Sequence, residues 1–76
     1  MSYQTMMQRE VAIKTLTKVY EAKIQSGTVT DVDDTNYAKA LHIVENAEPS
    51  EWITQCSLIL SEEWKTVISS IQQLNG

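Results

Sequence analysis

The sequence predicts an all-α protein, a small four-helix bundle that occupies residues 1–76 as a single domain, and three observations support this. Apolar residues recur three and four positions apart along most of the chain, which is the spacing of a helix with one buried face. Only two Gly and one Pro are present, so the turn signals of a β-protein are scarce. A hydrophobic content of 42% in 76 residues is enough for one core of marginal size.

The first predicted helix runs from about Tyr3 to Gln25. Its buried face is predicted to comprise Met6, Ile13, Leu16, Tyr20 and Ile24, with Ala12 and Val19 on the flank. Gly27 follows as the residue that ends the helix, because glycine adopts the left-handed conformation needed there without strain. The stretch from Ser26 to Asp34 is rich in β-branched residues and is predicted to be an ordered linker, with Val29 or Val32 tucked against the bundle.

The second predicted helix begins at a cap formed by Asp33, Asp34 or Thr35, whose side chains can accept backbone N–H groups. Pro49 ends it, because the residue before a proline is pushed out of the helical conformation. The predicted buried stripe consists of Tyr37, Ala40, Leu41, Val44 and Ala47. The predicted outward residues are Lys39, His42 and Asn46.

The C-terminal stretch from Ser50 to Leu74 has the densest apolar spacing and contains both tryptophans. It carries two stripes, the first of Trp52, Ile53, Cys56, Ile59 and Leu60 and the second of Trp64, Val67, Ile68, Ile71 and Leu74. Ser61 followed by two glutamates is typical of a new helix start, which predicts a break near Leu60. The alternative is one continuous helix from Glu51 to Leu74, which would make a three-helix protein.

The net charge of −4 is unevenly distributed along the chain. Residues 1–30 have a balance of +2, from four basic and two acidic side chains, whereas residues 31–76 have a balance of −6, from two basic and eight acidic ones. The single cysteine excludes an internal disulfide and favours a reducing compartment. No apolar run approaches the roughly 18 residues of a membrane span, and the first residues lack a signal-peptide layout. We therefore expect a cytoplasmic protein that contacts no membrane.

Three features suggest metal binding or catalysis, and each fits a structural role better. Asp31, Asp33 and Asp34 could begin a calcium loop, but Asn36 and His42 stand where an EF-hand needs Gly and Glu. The lone His42 lacks the further His or Cys ligands of a zinc site. Cys56 lies on an apolar stripe, where a thiol behaves as a small hydrophobe. We expect no metal, no cofactor, no catalytic residue and no enzymatic activity.

The first helix provides the candidate nucleic-acid-binding residues. It carries four of the six basic side chains, and these candidates for phosphate contact are Arg9, Lys14, Lys18 and Lys23. Lys14 and Lys18 point away from the buried face, whereas Lys23 and Arg9 lie nearer the edge of the core. The same residues would also serve simply to solvate the exposed side of a helix. Trp52 and Trp64 could stack on bases, although their apolar stripes favour a role as core anchors.

The alternative function is a protein-interaction or inhibitor module without nucleic-acid binding. Its surface would be the acidic second half of the chain, with Glu45, Glu48, Glu51, Glu62 and Glu63 facing a basic partner. So small a core also gains from self-association, so either a monomer or a weak dimer is expected.

The layout of a long first helix, a loop and three short helices resembles the HRDC-type module of RecQ-family helicases. The resembling stretches are Glu10 to Ile24, Tyr37 to Ala47 and Trp52 to Leu74. In length and layout the chain also resembles the small proteins encoded beside the UvsW recombination helicase of T-even bacteriophages. The HRDC pattern has a Gly-rich turn in its second half that is absent here, and the overall charge here is acidic.

These resemblances imply an HRDC-like bundle that acts in phage recombination and DNA repair, in the cytoplasm of the host cell. They imply two kinds of partner, a recombination helicase and single-stranded or branched DNA. Because the chain is acidic overall, only the basic positions of the first helix can carry the implied DNA contact.

Overall fold

The computed structural model describes residues 3–75, with side chains described as far as Gln73, and the prediction of an all-α four-helix bundle is confirmed. The elements are α1 (Tyr3–Ser26), α2 (Asp31–Asn46), a 3-10 turn (Pro49–Glu51), α3 (Trp52–Ile59) and α4 (Glu62–Asn75). No strand occurs within this part of the chain. None of its helices has the length and apolarity that crossing a membrane requires.

One core joins the four helices, and the two tryptophans are its largest members. Trp52 begins α3 and Trp64 lies in the first turn of α4, and both are fully buried, as predicted for core anchors. The other large, fully buried side chains are Leu16, Val44, Cys56, Ile68 and Ile71. Val67 packs against this core, and Leu74 lies outside the described side chains.

The buried face of α1 is rotated from its predicted position. Ala12 and Leu16 are the buried residues, and Ile13, Val19 and Tyr20 pack beside them. Met6 and Ile24, predicted to be buried, are about half exposed, so that part of the prediction is wrong. The cause is that Arg9 and Lys23, seven residues before and after Leu16, share its row and take up the ends of the buried face.

The turn between α1 and α2 is shorter than predicted. Gly27 has a φ of +74°, which confirms its role in ending α1. Helix α2 then begins at Asp31, so the linker predicted to reach Asp34 is wrong, and so are the three predicted caps. The N-cap is Thr30, because its side chain and that of Asp33 form a reciprocal capping box. Of the two linker valines, Val29 is partly buried and Val32 is exposed.

Helix α2 buries the predicted stripe together with three further residues. Ala40, Val44 and Ala47 are buried, and Tyr37 and Leu41 pack against the core. The predicted outward residues Lys39, His42 and Asn46 are exposed, as expected. The additional buried residues are Asp33, Asn36 and Ile43. Pro49 is the first residue of the 3-10 turn that follows.

The predicted break near Leu60 is confirmed, and the single-helix alternative is wrong. Leu60 has extended backbone angles, φ −100° and ψ 153°, and separates α3 from α4. Ile53 and Ile59, predicted to be buried, are about half exposed. The reason is that α3 is only eight residues long and buries a single row, Trp52 and Cys56, which Leu60 continues.

Candidate nucleic-acid interface

Arg9 points into the bundle and binds the C-terminal end of α2. Its Nη1 donates to the carbonyl oxygens of Val44 and Ala47, at 2.8 and 2.9 Å. Its Nη2 lies 4.0 Å from the Glu48 carboxylate, and only 12% of the Arg9 side chain is exposed. The last carbonyls of a helix lack partners within the helix and carry partial negative charge. Arg9 therefore acts as a cap for α2 that is supplied by another helix.

Two further side chains satisfy backbone carbonyls around this end of α2. The indole N–H of Trp52 donates to the same Ala47 oxygen at 3.2 Å. Gln72 in α4 donates to the carbonyl of Pro49 at 2.8 Å. Among the buried polar side-chain atoms of the described residues, Nε of Arg9 is the one without a hydrogen bond. The guanidinium is thus held by the two hydrogen bonds of Nη1, with Nη2 near the Glu48 carboxylate.

Lys23 reaches the opposite end of α2. Its Nζ lies 3.6 Å from Oδ1 of Asp33 and 2.6 Å from Oε1 of Glu63, with 18% of the side chain exposed. The hydrogen bond to Glu63 and the charge of Asp33 together raise the pKa of Lys23 above its ordinary value, although partial burial acts in the other direction. Lys23 therefore joins α1 to the beginnings of α2 and α4.

Asp33 is the buried carboxylate at the centre of this cluster. Its Oδ1 accepts the indole N–H of Trp64 at 2.9 Å, and its Oδ2 accepts the backbone N–H and the hydroxyl of Thr30 at 3.0 and 3.2 Å. The Trp64 bond, the Thr30 bonds and the charge of Lys23 lower the pKa of Asp33 against the opposing effect of burial. Asp33 is therefore a charged structural residue.

Aromatic rings line the same end of the bundle. Tyr20 and Tyr37 stack with ring centroids 4.4 Å apart, and Tyr37 lies 6.2 Å from Trp64. The hydroxyl of Tyr37 is 2.8 Å from that of Thr17, and the hydroxyl of Tyr20 donates to Asp34. The bond to Asp34 is the main reason that the pKa of Tyr20 is raised. The three rings form one contiguous group across α1, α2 and α4, in which the tyrosines stack and Trp64 is tilted against Tyr37.

Asn36 was missed by sequence reasoning and holds the break between α3 and α4. Its Oδ1 accepts the backbone N–H of Ser61 at 2.8 Å, and its Nδ2 donates to the carbonyl of Val32 at 2.6 Å. The sequence does contain a signal, because Asn36 lies four residues before the buried Ala40 and so on the same helix face. Asp33 carries the same signal, seven residues before Ala40.

The two basic residues of α1 match the two ends of α2 in spacing. Arg9 and Lys23 are 14 positions apart, and so are Ala47 and Asp33, the residues that they contact. Because both helices rise about 1.5 Å per residue, each spacing corresponds to roughly 21 Å. Arg9, near the start of α1, contacts the end of α2, and Lys23, near the end of α1, contacts its start. This reversed order is what two antiparallel helices require. We call this pair of contacts the α2 clasp.

Lys14 and Lys18 lie on the opposite side of α1 from Leu16. Both are exposed, one helical turn apart, and neither forms an ion pair with another residue in the described part of the chain. The exposed apolar residues Met7 and Val11 continue the same outward ridge. The four candidate residues therefore divide into an interior pair, Arg9 and Lys23, and an exterior pair, Lys14 and Lys18.

The histidine and the cysteine lie in different surroundings. His42 is exposed, with its ring Nδ1 3.3 Å from Nδ2 of Asn46. Cys56 is buried in the core, and burial raises the pKa of its thiol to about 11. A thiol with so high a pKa is protonated at neutral pH and is a poor nucleophile.

No protein-family model, curated protein or solved structure matches this chain. Lys14, Lys18 and Lys39 are exposed basic side chains without an ion pair among the described residues, and of these Lys14 and Lys18 lie together on α1.

Proposed function

We propose that this protein is a non-enzymatic accessory of nucleic-acid metabolism that works beside a helicase in recombination and repair. It contacts the phosphates of single-stranded or branched DNA through Lys14 and Lys18. The observation that carries the proposal is the separation of roles on α1. Arg9 and Lys23 are engaged within the bundle, whereas Lys14 and Lys18 project outward one turn apart without an ion pair among the described residues. The resemblance to HRDC-type modules supports the same function.

The charge of the protein sets the expected strength of this contact. The net charge is −4, and the exposed Glu10 and Glu21 lie near the two lysines on α1. Binding by two ammonium groups in such a field is weak and requires low salt. For two phosphate contacts on a single strand, the logarithm of the binding constant should fall with the logarithm of salt concentration at a slope of about −1.4.

The test compares two double variants that change the net charge equally. Lys14→Gln with Lys18→Gln removes the outward pair, and Lys39→Gln with Lys65→Gln removes two lysines of the second half. Each double variant changes the net charge from −4 by the same two units. Fluorescence anisotropy with a labelled oligothymidine and a labelled forked duplex, over a range of salt, gives both affinity and slope. Only the Lys14/Lys18 variant should lose binding and salt dependence.

Two results would contradict the proposal. An equal loss in both double variants would mean that overall charge, and not the α1 ridge, governs the interaction. Absence of binding by the unaltered protein at low salt would remove DNA from its partners. Circular dichroism of each variant provides the folding control, since all four lysines are at least partly exposed.

A further inference from the structure

Helix α3 has a surface unlike that of the other helices. Of its eight residues, Trp52 and Cys56 are buried. The other six are exposed, and they are Ile53, Thr54, Gln55, Ser57, Leu58 and Ile59. None of the eight carries a charge, in a chain of which 21% is charged. The helix therefore presents a neutral surface on which Leu58 and Ile59 are neighbours, whereas Ile53 lies roughly 120–140° around the helix from both.

Leu58 is the most exposed of these side chains. It is 80% exposed, and Ile53 and Ile59 are each about half exposed. Single exposed apolar residues are common on proteins, but Leu58 and Ile59 lie next to each other on a helix without charged residues and together form an apolar patch. Trp52 and Cys56 are the side chains by which α3 packs into the core. Leu58 does not contribute to this packing, so folding itself does not require it to be apolar.

Acidic residues stand at both ends of this surface. Glu51 directly precedes α3, is exposed, and forms no ion pair with any other described residue. Glu62 begins α4 just beyond the helix, and its side chain is 91% exposed although it contacts Lys65. The surrounding segment, residues 31–76, has a balance of −6. A partner must therefore offer an apolar centre and basic edges.

We propose that α3 is a docking surface for an amphipathic helix of a partner protein, with an apolar face that covers Leu58 and Ile59 and with Lys or Arg along its borders. The mode is that of a helix laid on an apolar surface, with complementary charge setting its orientation. The proposal is independent of DNA binding, because the lysines invoked there lie on α1.

Charge argues against two other occupants of the same surface. In a symmetric dimer built on α3, the acidic ends of one copy would face those of the other, which is repulsive. An anionic membrane would be repelled by the balance of −6 that surrounds the helix. Lys or Arg residues along the borders of a partner helix would instead form favourable contacts with Glu51 and Glu62.

The test uses a synthetic peptide of about 18 residues, long enough to form a helix on binding. It has leucines at helical spacing on one face and lysines on both borders, and a second peptide replaces those lysines with glutamates. Each is titrated into isotope-labelled protein, and amide shifts locate the contact. Leu58→Gln removes the central side chain, and Met7→Gln makes the same kind of change on the exposed ridge of α1.

We expect shifts centred on α3 and a dissociation constant that rises about tenfold or more in Leu58→Gln, because a leucine then fails to be buried. Met7→Gln should bind as the unaltered protein does, and the glutamate peptide should bind at least about tenfold more weakly. Leu58→Gln should fold normally, since the side chain it replaces is 80% exposed.

The proposal is overturned if the shifts centre on α1 or α2, if Leu58→Gln and Met7→Gln weaken binding equally, or if both peptides bind alike. It is also overturned if light scattering of the free protein shows a dimer that Leu58→Gln abolishes, because α3 is then an interface between copies. Binding to phosphatidylserine vesicles that depends on Leu58 would likewise assign the surface to a lipid. If the protein does not bind DNA, the interpretation of each of these results for α3 stays the same.

Discussion

The indole N–H of Trp64 in α4 donates to Oδ1 of Asp33 in α2 across 2.9 Å, and both side chains are buried. The same carboxylate completes the capping box of α2 with Thr30 and lies 3.6 Å from Nζ of Lys23 in α1. One acidic side chain thus connects three helices. A buried carboxylate is costly unless it is hydrogen-bonded and paired, and here both conditions are met.

Replacing Trp64 by Phe should destabilise the protein by at least about 1.5–3 kcal/mol, because it removes a hydrogen bond to a charged group and leaves a space where the larger indole was packed. Tyr37→Phe is the matched control. It removes the weaker contact between two neutral hydroxyls and should cost about 0.5–1.5 kcal/mol. Urea denaturation of both variants gives the comparison. An equal loss of unfolding free energy in both variants would mean that the hydrogen bond between Trp64 and Asp33 stabilises the protein no more than one between two neutral hydroxyls.

Acid should weaken the protein through Asp33. Its pKa is lowered by folding from an ordinary value of 3.8. The stabilisation is therefore fully present above pH 3.8 and is lost as pH falls through the lowered pKa. Asp33→Asn should be less stable at neutral pH and should show a shallower decline of urea midpoint on acidification. A decline as steep as that of the unaltered protein would assign the acid sensitivity to other carboxylates.

Thr30→Ala should cost about 0.5–2 kcal/mol, the usual effect of removing an N-cap side chain. The Thr30 side chain accepts the N–H of Asp33 at 3.2 Å, so its loss leaves that group without its partner. Thr35→Ala is the control, because Thr35 is exposed within the same helix. It should leave the urea midpoint nearly unchanged. The reverse order of effects would place the start of α2 further along the chain.

Arg9→Met should destabilise the protein by about 1–3 kcal/mol, because two carbonyls at the end of α2 lose a charged donor. Arg9→Lys should recover only part of this loss, since an ammonium can donate to both carbonyls but lacks the second terminal nitrogen that lies near Glu48. Lys14→Met provides the exposed comparison and should lie within about 0.5 kcal/mol of the unaltered protein. If the midpoint of thermal unfolding fell equally for Arg9→Met and Lys14→Met, the Arg9 side chain would contribute no more to stability than an exposed lysine, which would contradict its role as a cap of α2.

Sequence reasoning predicted the helices well because their signals are local. Gly27 ends α1, and the acidic residues after Ser61 accompany the start of α4, as their intrinsic preferences indicate. The candidate site was predicted less well because apolar spacing places Arg9 and Lys23 only near the edge of the core and identifies no partner for either. Arg9 and Lys23 occupy the buried row of α1, and their carbonyl and carboxylate partners lie more than nine positions away along the chain. Such partners become identifiable only once the helices are packed.

In helix α3 the burial of apolar residues, and not of charged ones, was predicted wrongly. The apolar spacing of Ile53 and Ile59 predicts burial, but a helix of eight residues with one buried row leaves both partly exposed. Periodicity indicates which residues could be buried and does not indicate how many neighbouring helices are present to cover them.

The α2 clasp also has a consequence for how the length of this protein can change. A single residue inserted between Arg9 and Lys23 would turn one contact by about 100° and shift it by about 1.5 Å, so both ends of α2 could no longer be reached together. A matching insertion in α2 would be needed to restore them. The spacing between the two contacts in α1 must therefore equal the spacing in α2. Insertions or deletions of residues are tolerated only in the segments outside the two contacts.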